Sequence, residues 1–278
     1  MCCLTLPATV QGQGDIVPAP PEGPSFALAI GLDRAFGDTQ YTMNALTPNP
    51  RNSEELVPIA SELVFPLDAT MLGVKATWDP RNGRLRRWSF EGGFRTNVND
   101  PSTSMTDSDF FGDRQIYLAE SDADLDWIQA DLTVRNRLSP TWALLLHLDY
   151  QRIEQHLVDF EGWAGSLFTD FRAPVSGTGP ILDYQVTYVS PQVGVEASFA
   201  LARQLRLGLE GSGGVVFASD RDDHLLRNRI AEGSGTGVGL RSRVTLDLLP
   251  GSLPVSWLSL QLQGELRFYH AEGSVDQW

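Results

Sequence analysis

Two short acidic segments contain the residue types that can activate a water molecule. They are Thr106-Asp107-Ser108-Asp109-Phe110 and Ser219-Asp220-Arg221-Asp222-Asp223-His224. In an extended chain, residues i and i+2 point to the same side, so Asp107 and Asp109 form a carboxylate pair. Two close carboxylates can share a proton, and a histidine beside an aspartate can take a proton from water. Acidic loops are also often only solvated surface, and from these residue types alone that alternative is the stronger one.

The chain around these segments alternates between apolar and polar residues with a period of two, which is typical of β-strands. In the segment 88–95, one face carries Trp, Phe, Gly and Phe, and the other carries Ser, Glu, Gly and Arg. No stretch of 18 or more apolar residues exists, so the sequence excludes a membrane-spanning helix. Alternating segments of this kind predict nine strands, near 26–32, 63–78, 88–95, 125–136, 142–150, 184–201, 205–217, 238–248 and 258–269.

The polar faces of these strands carry charges of both signs, among them Glu91, Arg95, Asp131, Glu265 and Arg267. In a soluble sandwich such a face meets water, whereas in a barrel it fills the lumen, where acids and bases can neutralise one another. Aromatic residues at both ends of the apolar face of 142–150 favour contact with lipid. We therefore predict an all-β fold, an antiparallel transmembrane β-barrel with nine strands visible in this chain.

The connections between the predicted strands alternate in length. Four are long, at 33–62, 96–124, 151–183 and 218–237, and the connections between them are tight turns. Outer-membrane barrels have long external loops and short periplasmic turns. Both acidic segments are therefore expected on one external rim.

The two ends of the chain suggest different roles. Residues 1–24 hold both cysteines and a Pro/Gly-rich stretch, and we predict a signal-peptide remnant or flexible lead-in before a barrel domain at 25–278. A single-chain bacterial barrel needs an even number of strands. The ninth strand ends near Tyr269, so the sequence predicts that a last strand is missing and that two sheet edges are open.

The formal net charge of −14 argues against nucleic acid as a partner, because phosphate binding needs an excess of Lys and Arg. It is compatible with cationic peptides or proteins as ligands. The chain has no HExxH zinc motif and no Ser-His-Asp arrangement with a nucleophile elbow. Neither a metal nor another cofactor is therefore expected for the chemistry.

The two acidic segments, in this order, resemble the paired-Asp segment and the Asp-x-His signature of the omptin family of outer-membrane proteases. Pro191-Gln192-Val193-Gly194 and Ser61-Glu62-Leu63 resemble two further family segments. The family's fold is a ten-stranded barrel, and its members cleave peptides next to basic residues, often between two of them. The resemblance implies that Asp222 and His224 deprotonate water, while Asp107 and Asp109 hold that water and stabilise the oxyanion.

The resemblance also implies a binding site for peptide or protein substrates with basic residues. Asp220 would receive a substrate cation and Asp38 a second one, although an Asx turn that caps a loop is an equal alternative for Asp220. We expect a monomer in outer-membrane lipid, with the site facing the exterior. Lipopolysaccharide is expected to be required for activity, but in Tyr150-Gln151-Arg152-Ile153-Glu154 acid and base are exchanged relative to the family.

Two other functions fit the sequence. A non-catalytic barrel could serve as an adhesin or surface-binding protein whose acidic rim attracts cationic molecules. A small porin is favoured less, because charges of both signs on the inner faces predict a filled lumen.

Overall fold

A computed structural model of the chain describes residues 2–8, 25–99, 103–202, 204–226, 228–248 and 260–277. Each predicted strand lies within an observed one, the last from residue 260 onward. Among the described residues, no helix is long and apolar enough to cross a membrane. Apart from one 3₁₀ turn at Gly83–Leu85, the elements are β1 (Cys2–Ala8), β2 (Ser25–Asn49), β3 (Asn52–Asp79), β4 (Trp88–Asn97), β5 (Thr103–Phe111), β6 (Arg114–Arg137), β7 (Trp142–Gly165), β8 (Arg172–Ala202), β9 (Leu205–His224), β10 (Arg229–Leu248) and β11 (Leu260–Gln277).

The strands form one antiparallel sheet that closes on itself. Both β4 and β5 pair with β3 on one side and with β6 on the other, so they are the two halves of a single crossing. Strand β1 pairs with β11 and with β2, which joins the first and last long strands. The sheet therefore has ten strand positions, and the predicted antiparallel β-barrel is confirmed.

The sequence predicts two open sheet edges, but in the structure β1 lies between β2 and β11 and pairs with both. The residue Leu4 of β1 lies opposite Leu32 of β2 and opposite Leu262 of β11. The segment Cys2-Cys3-Leu4-Thr5-Leu6-Pro7-Ala8 lacks a clear polar face and contains a proline, which is why the sequence pattern does not reveal a strand there. Residues 9–24, the rest of the predicted lead-in, lie outside the described residues.

The four predicted long loops are instead β-hairpins. Strands β2 and β3 stay paired from Ser25 opposite Asp79 up to Asn49 opposite Asn52. The other hairpins turn between Phe111 and Arg114, between Gly165 and Arg172, and between His224 and Arg229. Beyond the lipid-facing part of a strand the outward side chains become polar, so the apolar period stops while the backbone ladder continues. The sequence pattern therefore ended these strands too early.

The outer face of the barrel carries a band of exposed apolar side chains. Leu266 is 70% exposed and Val193 is 65% exposed, although large contiguous apolar surfaces are rare on soluble monomers. Such a band suits contact with lipid. The long strands each contribute to it, with Leu28, Val74, Phe94, Leu132, Leu146, Val195, Val215, Leu240 and Leu266 among its members.

The lumen inside this band is filled by paired charges. The fully buried carboxylate of Glu265 accepts hydrogen bonds from Arg243 Nε at 2.8 Å and from Arg241 Nη2 at 3.2 Å, and it also contacts Arg267. Asp149 contacts Arg267 Nη1 at 3.0 Å. A cavity of about 40 Å³ beside Arg243 has room for only a few water molecules. This packing does not favour the porin alternative.

Nearer the rim, an apolar cluster replaces the charges and brings two walls of the barrel together. Phe65 of β3 is fully buried and stacks on Tyr184 of β8, with ring centroids 4.4 Å apart and planes 9° apart. Leu125 and Leu157 are buried in the same cluster. The interior just below the rim is therefore narrow, and residues on facing strands can act on the same group.

Candidate active site

The second acidic segment lies on the inner wall of β9, close to its end at the rim. Strand alternation places Asp220, Asp222 and His224 on one face, toward the interior. His224 Nε2 lies 3.2 Å from Asp222 Oδ2. Asp222 is only 2% exposed, whereas His224 is partly exposed. The structure therefore brings the predicted dyad together, with the carboxylate buried beneath an accessible imidazole.

The first acidic segment lies on strand β5 rather than in a loop. Asp107 lies opposite Leu63 of β3, and Asp109 lies opposite Ser61. Both aspartates are partly buried, and they share the inward face of β5 with the buried Met105. Because β5 is paired on both sides, the backbone of the two aspartates is fixed by two ladders.

Tyr41 of β2 lies between the two acidic segments, and its neighbours show how the segments are placed relative to each other. On its own wall it lies opposite Leu63, which in turn lies opposite Asp107. Neighbouring strands are about 4.8 Å apart, so the backbones of Tyr41 and Asp107 are separated by about 10 Å. Across the interior, the ring of Tyr41 is 6.0 Å from the ring of Tyr184, which lies opposite Asp222 in the β8–β9 ladder. The two segments thus approach the same narrow space from facing walls.

The carboxylate of Asp220 lies in a partly dry environment next to the dyad. Burial raises the pKa of Asp220 to about 6, and the charge of Asp222 contributes to the shift. The atom Asp220 Oδ2 is buried without a hydrogen-bond partner among the described residues. Asp220 lies in the middle of a ladder, opposite Val186 and Gly233, so it does not cap a loop as an Asx turn would. A carboxylate placed in this way suits a cationic group of a ligand.

The structure does not bring Asp38 to this site. Odd-numbered residues such as Thr39 are buried along the inner face of β2, while Asp38 is exposed on the outer side. The family resemblance that assigned Asp38 therefore selected the wrong face of the strand. Tyr41, two residues beyond Thr39, points inward instead. Sequence reasoning overlooked Tyr41 because a single tyrosine in an alternating strand carries no distinctive signal.

A second acid–histidine pair lies on the outside of the barrel. His156 Nδ1 is 2.8 Å from Asp183 Oδ1, and both side chains are about half exposed. None of the four predicted catalytic residues shares this outward face with His156, although Asp223 lies opposite Asp183 there. This pair is therefore a natural control for the pair on the inner wall.

Within the described part of the chain, no group of three or more His, Cys, Asp or Glu side chains could hold a metal ion. Carboxylates, an imidazole and a phenol are among the groups that the structure places at the rim.

The fold and the site together define an antiparallel β-barrel with an acid–histidine pair on the inner wall of one rim. Among solved structures, the chain is similar to the crystal structure of the outer membrane protease OmpT from Escherichia coli. The TM-score is 0.56 at 16% sequence identity, and the match covers 95% of this chain and 99% of that one. No protein-family model and no curated protein matches the chain. At this identity the likeness shows a shared fold.

Proposed function

We propose that this chain is a divergent omptin-like endopeptidase of the bacterial outer membrane, which cleaves peptides or proteins next to basic residues. The observation that carries this proposal is the 3.2 Å contact between His224 and the buried Asp222 on the inner wall of the rim. A histidine held by a buried carboxylate is oriented and stabilised as an imidazolium. The paired aspartates Asp107 and Asp109 face the same narrow interior, which supports a hydrolytic role.

The proposed reaction uses water as the nucleophile. His224 takes a proton from the water as its oxygen attacks the scissile carbonyl carbon, and Asp222 stabilises the resulting imidazolium. Asp107 and Asp109 share one proton and donate it as a hydrogen bond to the developing oxyanion. His224 then gives its proton to the leaving amine as the C–N bond breaks. The products are a carboxylic acid and an amine, and the protonation of the site is restored.

The substrate preference follows from the position of Asp220 beside the dyad. We assign to it the basic side chain of the substrate residue next to the cleaved bond. The overall charge of −14 would attract cationic polypeptides to the rim. The proposal includes a monomer, a site that faces the exterior, and a requirement for lipopolysaccharide in the surrounding lipid.

The test is hydrolysis of a fluorogenic peptide containing Arg-Arg by the protein folded in outer-membrane lipid with lipopolysaccharide. We expect cleavage between or beside the arginines, and no cleavage of the same peptide with Ala-Ala. A folded protein that binds the Arg-Arg peptide and never cleaves it would instead support the non-catalytic binding barrel, whose acidic rim acts by charge alone. Tryptophan fluorescence and protease resistance report the folding of the barrel in both cases.

A pH dependence of substrate binding follows from the raised pKa of Asp220, about 6. Its carboxylate binds a cation only when it is ionised, so binding should weaken as the pH falls through 6. At pH 5 about one tenth of the carboxylate is ionised, and KM for the Arg-Arg peptide should rise about tenfold relative to pH 8. In Asp220→Asn, KM should already be high at pH 8 and should change little with pH. A wild-type KM that stays constant from pH 8 to pH 5 would contradict this role.

A further inference from the structure

Three buried polar atoms near the dyad have no hydrogen-bond partner among the described residues. They are the hydroxyl oxygen of Tyr41, Oδ2 of Asp220 and Oδ1 of Asp222. A buried polar atom without a partner loses its hydrogen bonds to water without replacement, so native proteins rarely leave several together. The two carboxylate atoms are on β9 and the phenol is on β2, so they approach from facing walls. This arrangement indicates a place for a small polar species between the walls.

The chemistry of these atoms suits one water molecule. A buried water makes two to four hydrogen bonds to surrounding polar groups. Carboxylate oxygens accept hydrogen bonds, and a phenol can donate one. Burial and the charges of Asp220 and Asp222 raise the pKa of Tyr41, so its hydroxyl keeps its proton and remains a donor at neutral pH. A water molecule there can accept from the phenol, donate one hydrogen to Oδ1 of Asp222 and keep its second hydrogen for transfer to His224, which leaves Asp220 for the substrate cation.

We propose that Tyr41 is a positioning residue of the hydrolytic site, whose hydroxyl holds the water that the Asp222–His224 dyad activates. This inference rests on the proposed function. Asp222 uses Oδ2 for His224, which leaves Oδ1 for the water. Tyr41 completes the position from the opposite wall, where its ring lies beside that of Tyr184. The attacking oxygen is then fixed between the dyad and the wall that carries Asp107.

The test compares Tyr41→Phe with Tyr184→Phe, because both remove one hydroxyl from neighbouring rings. Only the Tyr41 hydroxyl belongs to the buried atoms without a partner. We expect Tyr41→Phe to lower kcat for the Arg-Arg peptide by about 100-fold, the lower end of the loss that follows removal of a single donor at a reacting centre. Its KM should stay within about twofold of the parent value, since the substitution removes a contact to the water and none to the substrate. Tyr184→Phe should keep both constants close to the parent values.

A binding measurement distinguishes the proposed role of Tyr41 from a merely structural one. In the His224→Ala background the peptide is cleaved too slowly to disturb a binding measurement, and adding Tyr41→Phe should leave its affinity and the unfolding midpoint unchanged. An unchanged kcat in Tyr41→Phe, an equal loss of kcat in Tyr184→Phe, or a loss of peptide affinity in the double variant would each overturn the role of Tyr41. If the parent cleaves and His224→Ala does not, these outcomes leave the proposed function standing. An inactive folded parent removes both.

Discussion

Replacing His224 with alanine should lower kcat for the Arg-Arg peptide by about a thousandfold, within the range expected for loss of a general base. The imidazole combines access to a substrate with a buried carboxylate partner, Asp222. Without it, the water must lose its proton to solvent, and the leaving amine must gain one there. KM should change little, because Asp220 still binds the basic side chain. Initial rates over a range of peptide concentrations measure both constants.

The matched control is His156→Ala on the outside of the same barrel. It also removes a histidine from an Asp–His contact, here with Asp183 at 2.8 Å. Because this pair points away from the interior, its loss should leave kcat and KM at the parent values. Residual activity of His224→Ala above about one tenth of the parent would rule out the dyad as the water-activating group. An equal loss in His156→Ala would show that both changes act through folding.

The alternation of side chains made much of this barrel predictable. A lipid-facing strand such as β7 needs apolar residues on one face only, and the run of Leu144, Leu146 and Leu148 shows that face directly. The lumen was predictable for the same reason, because the buried side chains of Arg241 and Glu265 alternate with outward apolar residues such as Leu240 and Leu266 on their own strands. The alternating sequence pattern therefore reflects the contact of one strand face with lipid.

The strand pairing at the rim was less predictable from the sequence, because the rim lies beyond the lipid-facing part of the strands. There the outward residues are polar, so the sequence does not distinguish a paired strand such as the upper part of β8 from a loop. The positions of Asp107 and Asp222 on facing walls depend on the register of several ladders between distant segments. A displacement of one residue along a strand reverses the face of a side chain, so a match to the family pattern, made without knowledge of the ladders, placed Asp38 on the wrong side. The position of Tyr41 at the site follows only from its contacts across the interior, which the sequence does not show.

A single substitution in the lumen should have a large effect on the stability of the barrel. Glu265 is fully buried and contacts three arginines, Arg241, Arg243 and Arg267. Glu265→Gln preserves the size of the side chain but removes the only charge that these three contacts share. Removing one partner of a buried ion pair costs about 3–5 kcal/mol, because the remaining charge stays desolvated. We therefore expect the free energy of unfolding to fall by about that amount.

Urea unfolding in lipid vesicles, followed by tryptophan fluorescence, measures this change, and Glu272→Gln on the same strand is the control. Glu272 is largely exposed and contacts only His270, at 3.4 Å among the described residues, so solvent already screens its charge. Its replacement should leave the unfolding midpoint almost unchanged. Equal midpoints for both variants would mean that water reaches Glu265 and that the lumen is more open than its packing indicates. Because the network lies below the apolar cluster of Phe65 and Tyr184, a folded Glu265→Gln protein should keep its kcat, which separates the stability of the barrel from the chemistry of its rim.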